Sequence, residues 1–302
     1  MSYHKPVMLE ECLEGLAIKP DGIYVDVTFG GGGHSRAINV KLTQGGHLLA
    51  FDQDSDAREN AENWEFANFT FVPSNFQYLS KFLKLHGFPQ VDGILADLGV
   101  SSHQLDAGER GFSFREEAEL DMRMNQGQPL SAKTFLNETD EAELHRVFGM
   151  YGDIRNAKTL ARQIVRVRAE QPLETTLDLK NLLEPLAPRR REFKYFAQAF
   201  QAVRIAVNDE MGVLESFLLQ TPEVLKPEGR LVVMAYHSTE DRLVKSFIQK
   251  GKFKGELEQD LKGNILRPLE PITRKPLTAS SSECEANPRA RSAKLRIAQK
   301  NA

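Results

Sequence analysis

Three carboxylates close short apolar runs in this chain: Asp26 in YVDVTFGGGGHSR, Asp52 in LLAFDQDSDA and Asp97 in ILADLGVSSHQLD. A carboxylate in that position can hold a cationic or hydroxyl-bearing ligand, or it can cap the next helix. The glycines after Asp26 restrict the ligand. A nucleoside triphosphate loop needs Gly-x-x-x-x-Gly-Lys-Ser/Thr, and no lysine follows Gly33. A dinucleotide loop, Gly-x-Gly-x-x-Gly, would put Ser35 or Arg36 where the close strand–helix approach calls for glycine. The spacing Asp-x-Gly-x-Gly-x-Gly of S-adenosylmethionine sites fits better: Asp26, Thr28, Gly30 and Gly32 occupy it, with threonine at the first glycine position. In that arrangement the carboxylate receives the cofactor's ammonium, directly or through neighbouring groups. The glycines let the backbone pass close to the methionine and ribose moieties.

Asp52 lies twenty residues beyond Gly32, where a strand-end carboxylate can accept both ribose hydroxyls of an adenosine. Asp54 is the better helix cap of the two. Phe76, in SNFQYL, is a candidate cover for the adenine ring, although a lone phenylalanine is more often core. Asp97 suits a reaction at an amine conjugated to a ring, whose lone pair is delocalised. A carboxylate accepting the N–H bond pushes electron density onto nitrogen and can take the proton as a methyl group arrives. Such a transfer needs in-line positioning and no metal. His237, after the apolar run LVVMAY, can orient a substrate, or His237–Asp241 in YHSTEDR can form the N-terminal cap of the next helix, which Glu240, Asp241 and Arg242 open; both readings stand.

Hydrophobic residues make up 41% and charged residues 27% of the 302, as expected of a water-soluble globular chain. No apolar run reaches the roughly 18–20 residues that span a bilayer. Glu10, Glu11 and Glu14 interrupt any export signal, so a cytoplasmic protein is expected. The two cysteines, Cys12 and Cys284, exclude a paired-cysteine zinc site. A net charge of −3 carries no overall nucleic-acid signature, but basic stripes run from Arg155 to Arg168 and from Arg289 to Lys300.

The elements that must position these residues follow from hydrophobic pattern. Strands are predicted at Ile23–Phe29, His47–Phe51, Phe69–Val72, Val91–Leu98 and Arg230–Tyr236, with helices at about 30–44, 54–64 and 76–86. Strand–helix alternation implies a parallel α/β sheet whose ligand crevice lies beyond the carboxyl ends of the strands. Alternation stops after Leu98. Ala157, Leu160, Ala161, Ile164 and Val165 then follow helical spacing, with Arg155, Lys158, Arg162 and Arg166 opposite. Residues 1–104 and 201–302 are therefore expected to form one α/β domain, interrupted by an inserted helical domain at 105–200. SAKLRIA is a candidate final strand, preceded by a loop-like, Pro- and Ser-rich stretch.

HKPVML, DVTFGGGGHSR, DGILADLGVSSHQLD, RGFSF, LDMRM, QAVRIAVNDE, YHSTEDRLVK and NPRARSAKLR, in this order from residue 4 to residue 296, resemble the RsmH (MraW) family of small-subunit rRNA cytosine-N4 methyltransferases. The resemblance implies a class I S-adenosylmethionine-dependent methyltransferase (Rossmann-like) fold with an inserted helical substrate-recognition domain. It assigns the cofactor S-adenosyl-L-methionine to Gly32, Gly33, His34, Asp52, Phe76, Asp97 and Gln104. It implies methylation of a cytosine amine in the decoding region of 16S rRNA, within the small ribosomal subunit. YHSTEDR replaces the family's usual FHSLEDR, and FKYFAQAFQAVR stands where the family often has HPATRTFQALR.

Arg110, Arg115 and Arg123 are candidate phosphate contacts that could instead make ion pairs at a domain junction. Arg289, Arg291 and Lys294 are the stronger candidates for RNA backbone, and Phe112, Phe114 or Tyr236 for stacking on a turned-out cytosine. The sequence allows a homodimer. The rival readings are a methyltransferase for another nucleic-acid or small-molecule amine, a nicotinamide-dependent oxidoreductase, and a non-catalytic RNA-binding ribosome assembly factor.

Overall fold

The computed structural model describes residues 6–101, 104–105 and 108–302. His4 and Lys5 of HKPVML, and Ser102, His103 and Asp106 of DLGVSSHQLD, lie outside the described residues. The chain divides into two compact units, one made of Met1–Gly99 and Gly212–Ala302, the other of Val100–Met211.

In the first unit α1 (Leu9–Leu16), β1 (Ile23–Asp26), α2 (Gly33–Lys41), β2 (His47–Asp52), α3 (Ser55–Glu62), β3 (Phe69–Pro73), α4 (Leu79–Leu85) and β4 (Val91–Asp97) alternate. In the second, α5 (Ala132–Glu138), α6 (Glu141–Met150), α7 (Ala157–Glu170), α8 (Thr176–Leu183) and α9 (Glu192–Val207) follow one another. The chain continues through α10 (Glu210–Val224), β5 (Leu225–Ala235), α11 (Ser238–Lys250), β6 (Leu269–Pro271), α12 (Ser281–Ala286) and β7 (Lys294–Lys300).

The strands form one seven-stranded sheet in the order β3-β2-β1-β4-β5-β7-β6. β3, β2, β1, β4 and β5 are parallel, while β7 runs antiparallel to β5 and β6 antiparallel to β7. The sheet is thus mixed, and β6 was not expected. Strand side chains alternate between faces. Val25, Leu49, Phe51, Ile94, Ala96 and Val233 enter one core, which Leu79 and Leu83 of α4, Phe217 of α10 and Phe247 of α11 complete. Tyr24, Leu48, Leu95, Val232 and Met234 enter the opposite core, with Leu13 and Leu16 of α1 and Ile38 of α2. Burial on both faces explains why these strands read as continuous apolar runs. Strand order reverses between β1 and β4, so a crevice opens at their carboxyl ends.

The helical unit has its own core, built from inward faces such as Ala157, Leu160, Ala161 and Ile164 of α7. Arg155, Lys158, Arg162 and Arg166 are exposed on the other side, as the spacing predicts. The unit's limits fall at 99/100 and 211/212 instead of 104/105 and 200/201. The later end has a simple cause: α9 places Phe196, Phe200, Val203 and Val207 in the helical core, so the helix stays with that unit to its last turn.

Candidate functional site

Parallel register brings Asp26, Asp52 and Asp97 to the same end of the sheet, as the last residues of β1, β2 and β4. Their surroundings differ. Asp26 is only 1% exposed. Its Oδ2 accepts the Ser35 hydroxyl at 2.7 Å, and its Oδ1 accepts the Thr28 amide at 3.0 Å and the Thr28 hydroxyl at 3.3 Å. The Thr28 oxygen in turn accepts the Asp97 amide at 2.7 Å. Both oxygens of Asp26 are thus engaged within the protein, which suits contact with a ligand through neighbouring groups, the second of the two expected ways. Threonine at the first glycine position is what links Asp26 to the backbone of Asp97.

The glycine run turns through left-handed backbone at Gly30 (φ 51°) and Gly32 (φ 76°). A Cβ on Gly32 would come 2.6 Å from the Trp64 ring, and one on Gly33 would strike Pro6. Both lack side chains because the protein packs against itself there. Gly31 is the member whose missing side chain leaves open space. No side chain caps α2, so the amides of its first turn, at Gly33 and His34, keep the positive character that attracts a carboxylate.

Asp52 accepts the Gly30 amide at 2.8 Å on Oδ2 and the Asp54 amide at 2.9 Å on Oδ1. Burial pushes its carboxyl up to about 6, against the lowering effect of those two amides. Each oxygen has a second lone pair available to a hydroxyl donor. Asp54 is the cap of α3, through the Asp56 amide. Gln53 and Asn75 join the loops after β2 and β3 by a 3.0 Å hydrogen bond. Phe76 follows, half-buried, its ring edge-on to Phe217 at 5.3 Å.

Asp97 keeps a quarter of its side chain open to solvent. Its Oδ1 accepts the Tyr236 hydroxyl at 2.8 Å. Its Oδ2 lies 3.7 Å from Nδ1 of the nearly buried His34, whose Nε2 is 3.1 Å from the Val7 carbonyl. That carbonyl can only accept, so a neutral His34 carries its proton on Nε2 and turns the lone pair of Nδ1 toward Asp97. Burial pushes Asp97 up to about 6; His34 and the Tyr236 hydroxyl act against that shift, and Asp26 and Glu240 add to it. Burial, with Asp97 next, raises the Tyr236 phenol well above its ordinary value, which keeps it a proton donor.

His237 is the N-cap of α11: Nδ1 accepts the Glu240 amide at 3.4 Å, and the Glu240 carboxylate reaches back to the amides of Tyr236 and His237. Nε2 lies 2.9 Å from Oε1 of the same glutamate. Of the two sequence readings, the cap is the one realised. In the final basic stripe, Arg296 is buried in a two-point ion pair with Asp241, which Lys294 joins at 3.5 Å. Arg289 is half-buried, and Arg291 is exposed.

Within the helical unit, Gln104 is buried, and its Oε1 accepts the Ser101 amide at 2.9 Å. Arg110, 7% exposed, donates to the carbonyls of Arg123 at 2.7 Å and Met124 at 3.2 Å and lies over the Phe112 ring. Arg123 pairs with Asp121 and donates to the Gln128 carbonyl at 2.8 Å. The expected phosphate role of Arg110 and Arg123 thus gives way to internal bonding; Arg115 alone of the three is exposed. Phe112 is buried, and Phe114 packs among Phe193, Phe196 and Phe200. The link from Tyr236 to Asp97 had no signal in the sequence beyond tyrosine replacing the family's phenylalanine, since 139 residues separate them.

Comparison with known proteins agrees with this arrangement. The chain is 52% identical over 298 residues to a ribosomal RNA small subunit methyltransferase H of Cytophaga hutchinsonii, covering 99% of each chain. It is 53% identical over 300 residues to the protein of that name from Christiangramia forsetii, covering 99% of this chain and 98% of the relative. The relative of the same name in Bacteroides thetaiotaomicron is 50% identical over 300 residues, with the same coverage. The mixed sheet with its order reversal at β1 and β4 is a class I methyltransferase fold, the description "MraW methylase family" matches residues 1–301, and the chain belongs to that family.

Proposed function

We propose that this enzyme transfers the methyl group of S-adenosyl-L-methionine to the exocyclic N4 of a cytosine in the decoding region of 16S rRNA. The observation that carries the reading is Asp97: a strand-end carboxylate at the order reversal, with one oxygen held by Tyr236 and part of its surface open. The names of the relatives support ribosomal RNA as the substrate. No helix among the described residues is long and apolar enough to cross a membrane. The reading entails a cytoplasmic protein that meets rRNA, free or in the small subunit.

The residues present suit the cofactor. Asp52 has lone pairs to spare for the ribose hydroxyls, Gly31 borders open space, and the uncapped start of α2 at Gly33 and His34 suits the methionine carboxylate. Phe76 offers a half-exposed ring to the adenine. When bound, S-adenosylmethionine supplies a methyl group on a positively charged sulfur, which leaves as a neutral thioether. Asp97 accepts a hydrogen bond from the cytosine amine, which concentrates its lone pair on nitrogen. As the N–C bond forms and the C–S bond breaks, the amine becomes acidic, and its proton passes to Asp97. Thr28 and Tyr236 hold that carboxylate from its backbone and from Oδ1.

The test supplies methyl-labelled S-adenosylmethionine with small ribosomal subunits, free 16S rRNA and tRNA, followed by nucleoside analysis. Label on N4-methylcytidine from 16S rRNA is the expected result. Label on a carbon atom, or on no RNA, refutes the reading.

A further inference from the structure

Among the described residues, Phe193 is the sole phenylalanine with a largely exposed side chain, at 76%. It lies in the first turn of α9, two residues after the run Arg189, Arg190 and Arg191 and just before Lys194. All four basic residues are exposed, and among the described residues no ion pair involves them; Glu192 is the one acid among them. Arg190 adopts left-handed backbone (φ 63°), its amide bonded to Glu192 Oε1 at 2.9 Å, while the Arg191 amide returns to the Pro188 carbonyl at 3.0 Å. The turn is therefore held by its own backbone, and the guanidinium groups take no part in it.

Phe193 is not a stray surface side chain. Phe193, Phe196 and Phe200 fall on one stripe of α9, and the last two are 4% and 3% exposed. Phe114 backs the whole row, with ring centroids 6.3 Å from Phe193, 5.7 Å from Phe196 and 5.6 Å from Phe200. The aromatic row runs off the edge of the helical core and leaves its last ring in water. A ring supported from behind and exposed in front loses little freedom when a flat partner covers it.

From this juxtaposition we infer that the start of α9 is a binding surface for single-stranded RNA, in which a base stacks on Phe193 while Arg189, Arg190, Arg191 and Lys194 hold the flanking phosphates. Stacking on an aromatic ring beside a basic groove is how single strands are held without sequence reading. The inference rests on the proposed RNA substrate and gives the helical unit a specific share in recognising it. It also moves the stacking role away from Phe112, which is buried, and from Tyr236, whose hydroxyl is bound to Asp97. A lipid surface could also attract a basic, aromatic edge. The four cations around one ring, without an apolar helix face beside them, favour RNA over a membrane.

The experiment measures binding of a fluorescent single-stranded RNA of roughly 12 nucleotides to the full-length chain without cofactor, across a salt series. Phe193→Ala is expected to weaken binding about fivefold or more, and Phe193→Trp to keep it. Replacing Arg189, Arg190 and Arg191 together by alanine should flatten the slope of log K against log salt by about 2, since each single-strand phosphate contact contributes about 0.7. Unchanged melting temperatures are the folding control, because every substituted side chain is exposed. Wild-type affinity and slope in both variants would overturn the inference. So would Phe193-dependent binding to vesicles containing phosphatidylserine with RNA binding unaffected. Failure of the methylation reading shows instead as absent N4-methylcytidine, which this binding assay does not score.

Discussion

Asp97 in the α/β unit and Arg110 in the helical unit are both charged groups near the most distinctive sequence motifs, yet their surroundings lead in opposite directions. Arg110 is 7% exposed, donates to two backbone carbonyls and stacks on Phe112. Asp97 has one short hydrogen bond at Oδ1, a histidine nitrogen 3.7 Å from Oδ2, and a quarter of its surface open. A charged residue serves a ligand only with the bonding capacity that its own protein leaves unspent. In the α/β unit that capacity collects at strand ends, where the ladder of backbone hydrogen bonds stops. In the helical unit it collects where a helix begins beyond the edge of its core, at Arg189–Lys194, and not in the motif arginines.

The strongest test of the contrast removes each group in turn. Asp97→Ala should cut kcat by about 10²- to 10⁴-fold, with S-adenosylmethionine binding by calorimetry retained and the circular dichroism spectrum unchanged; near-normal turnover would reduce Asp97 to a strand-end structural residue. Arg110→Ala should do the reverse, costing about 1–3 kcal/mol of stability by leaving two part-buried carbonyls without their donor. A lowered melting temperature with unchanged RNA affinity in the folded protein is the expected outcome, and selective loss of RNA binding would restore the phosphate role.

A smaller effect is expected from Tyr236→Phe. Its hydroxyl favours the ionised form of Asp97, so removing it should move the acid limb of the kcat profile upward in pH and lower turnover severalfold near neutrality. The groups that also face Asp97 are His34, Asp26, Glu240 and Cys12, and they stay in place. A profile that keeps its midpoint would show that the phenol only fills space.

The same two carboxylates set a stability trend. Asp52 and Asp97 are raised from 3.8 to about 6, so between those values the folded protein binds more protons than the unfolded chain. Their contribution therefore falls as pH rises through that window. Melting of the wild type against Asp52→Asn and Asp97→Asn, at pH 5 and pH 7, measures it: the variants should lose this part of the pH dependence. Least disruptive of all is Gly31→Ala, which meets open space and should leave the melting temperature within a degree or two while weakening cofactor binding.

Much of the α/β unit was legible because both faces of its central strands are buried, so strand residues read as apolar runs, three of which close on a carboxylate. The cofactor-side residues of β1, β2 and β4 follow from that alone. β6 escaped notice because three residues, of which only Leu269 is buried, carry no periodic signal. β5 begins at Leu225, ahead of the expected Arg230, because its first part passes through left-handed backbone at Glu228 within a Pro-Glu-Gly stretch that reads as a turn. Roles of individual polar groups were least legible. Whether His237 caps a helix, or Arg123 serves Asp121, depends on bonds whose partners composition does not announce. Phe193 was overlooked because an exposed and a buried phenylalanine look alike in a stripe of helical spacing.

Asp97, raised to about 6 and with a quarter of its surface open, lets the charge of the crevice follow what it holds. On the proposed reading, an incoming ligand carries positive charge on its sulfur and its ammonium, which favours the ionised form of Asp97 and sends to buffer whatever proton that carboxyl held. After transfer the sulfur is neutral, and Asp97 holds the proton taken from the amine. The spent molecule is then held less firmly than the fresh one, by an electrostatic difference built into the site. Heats of binding measured in buffers of different ionisation enthalpy would count the protons released.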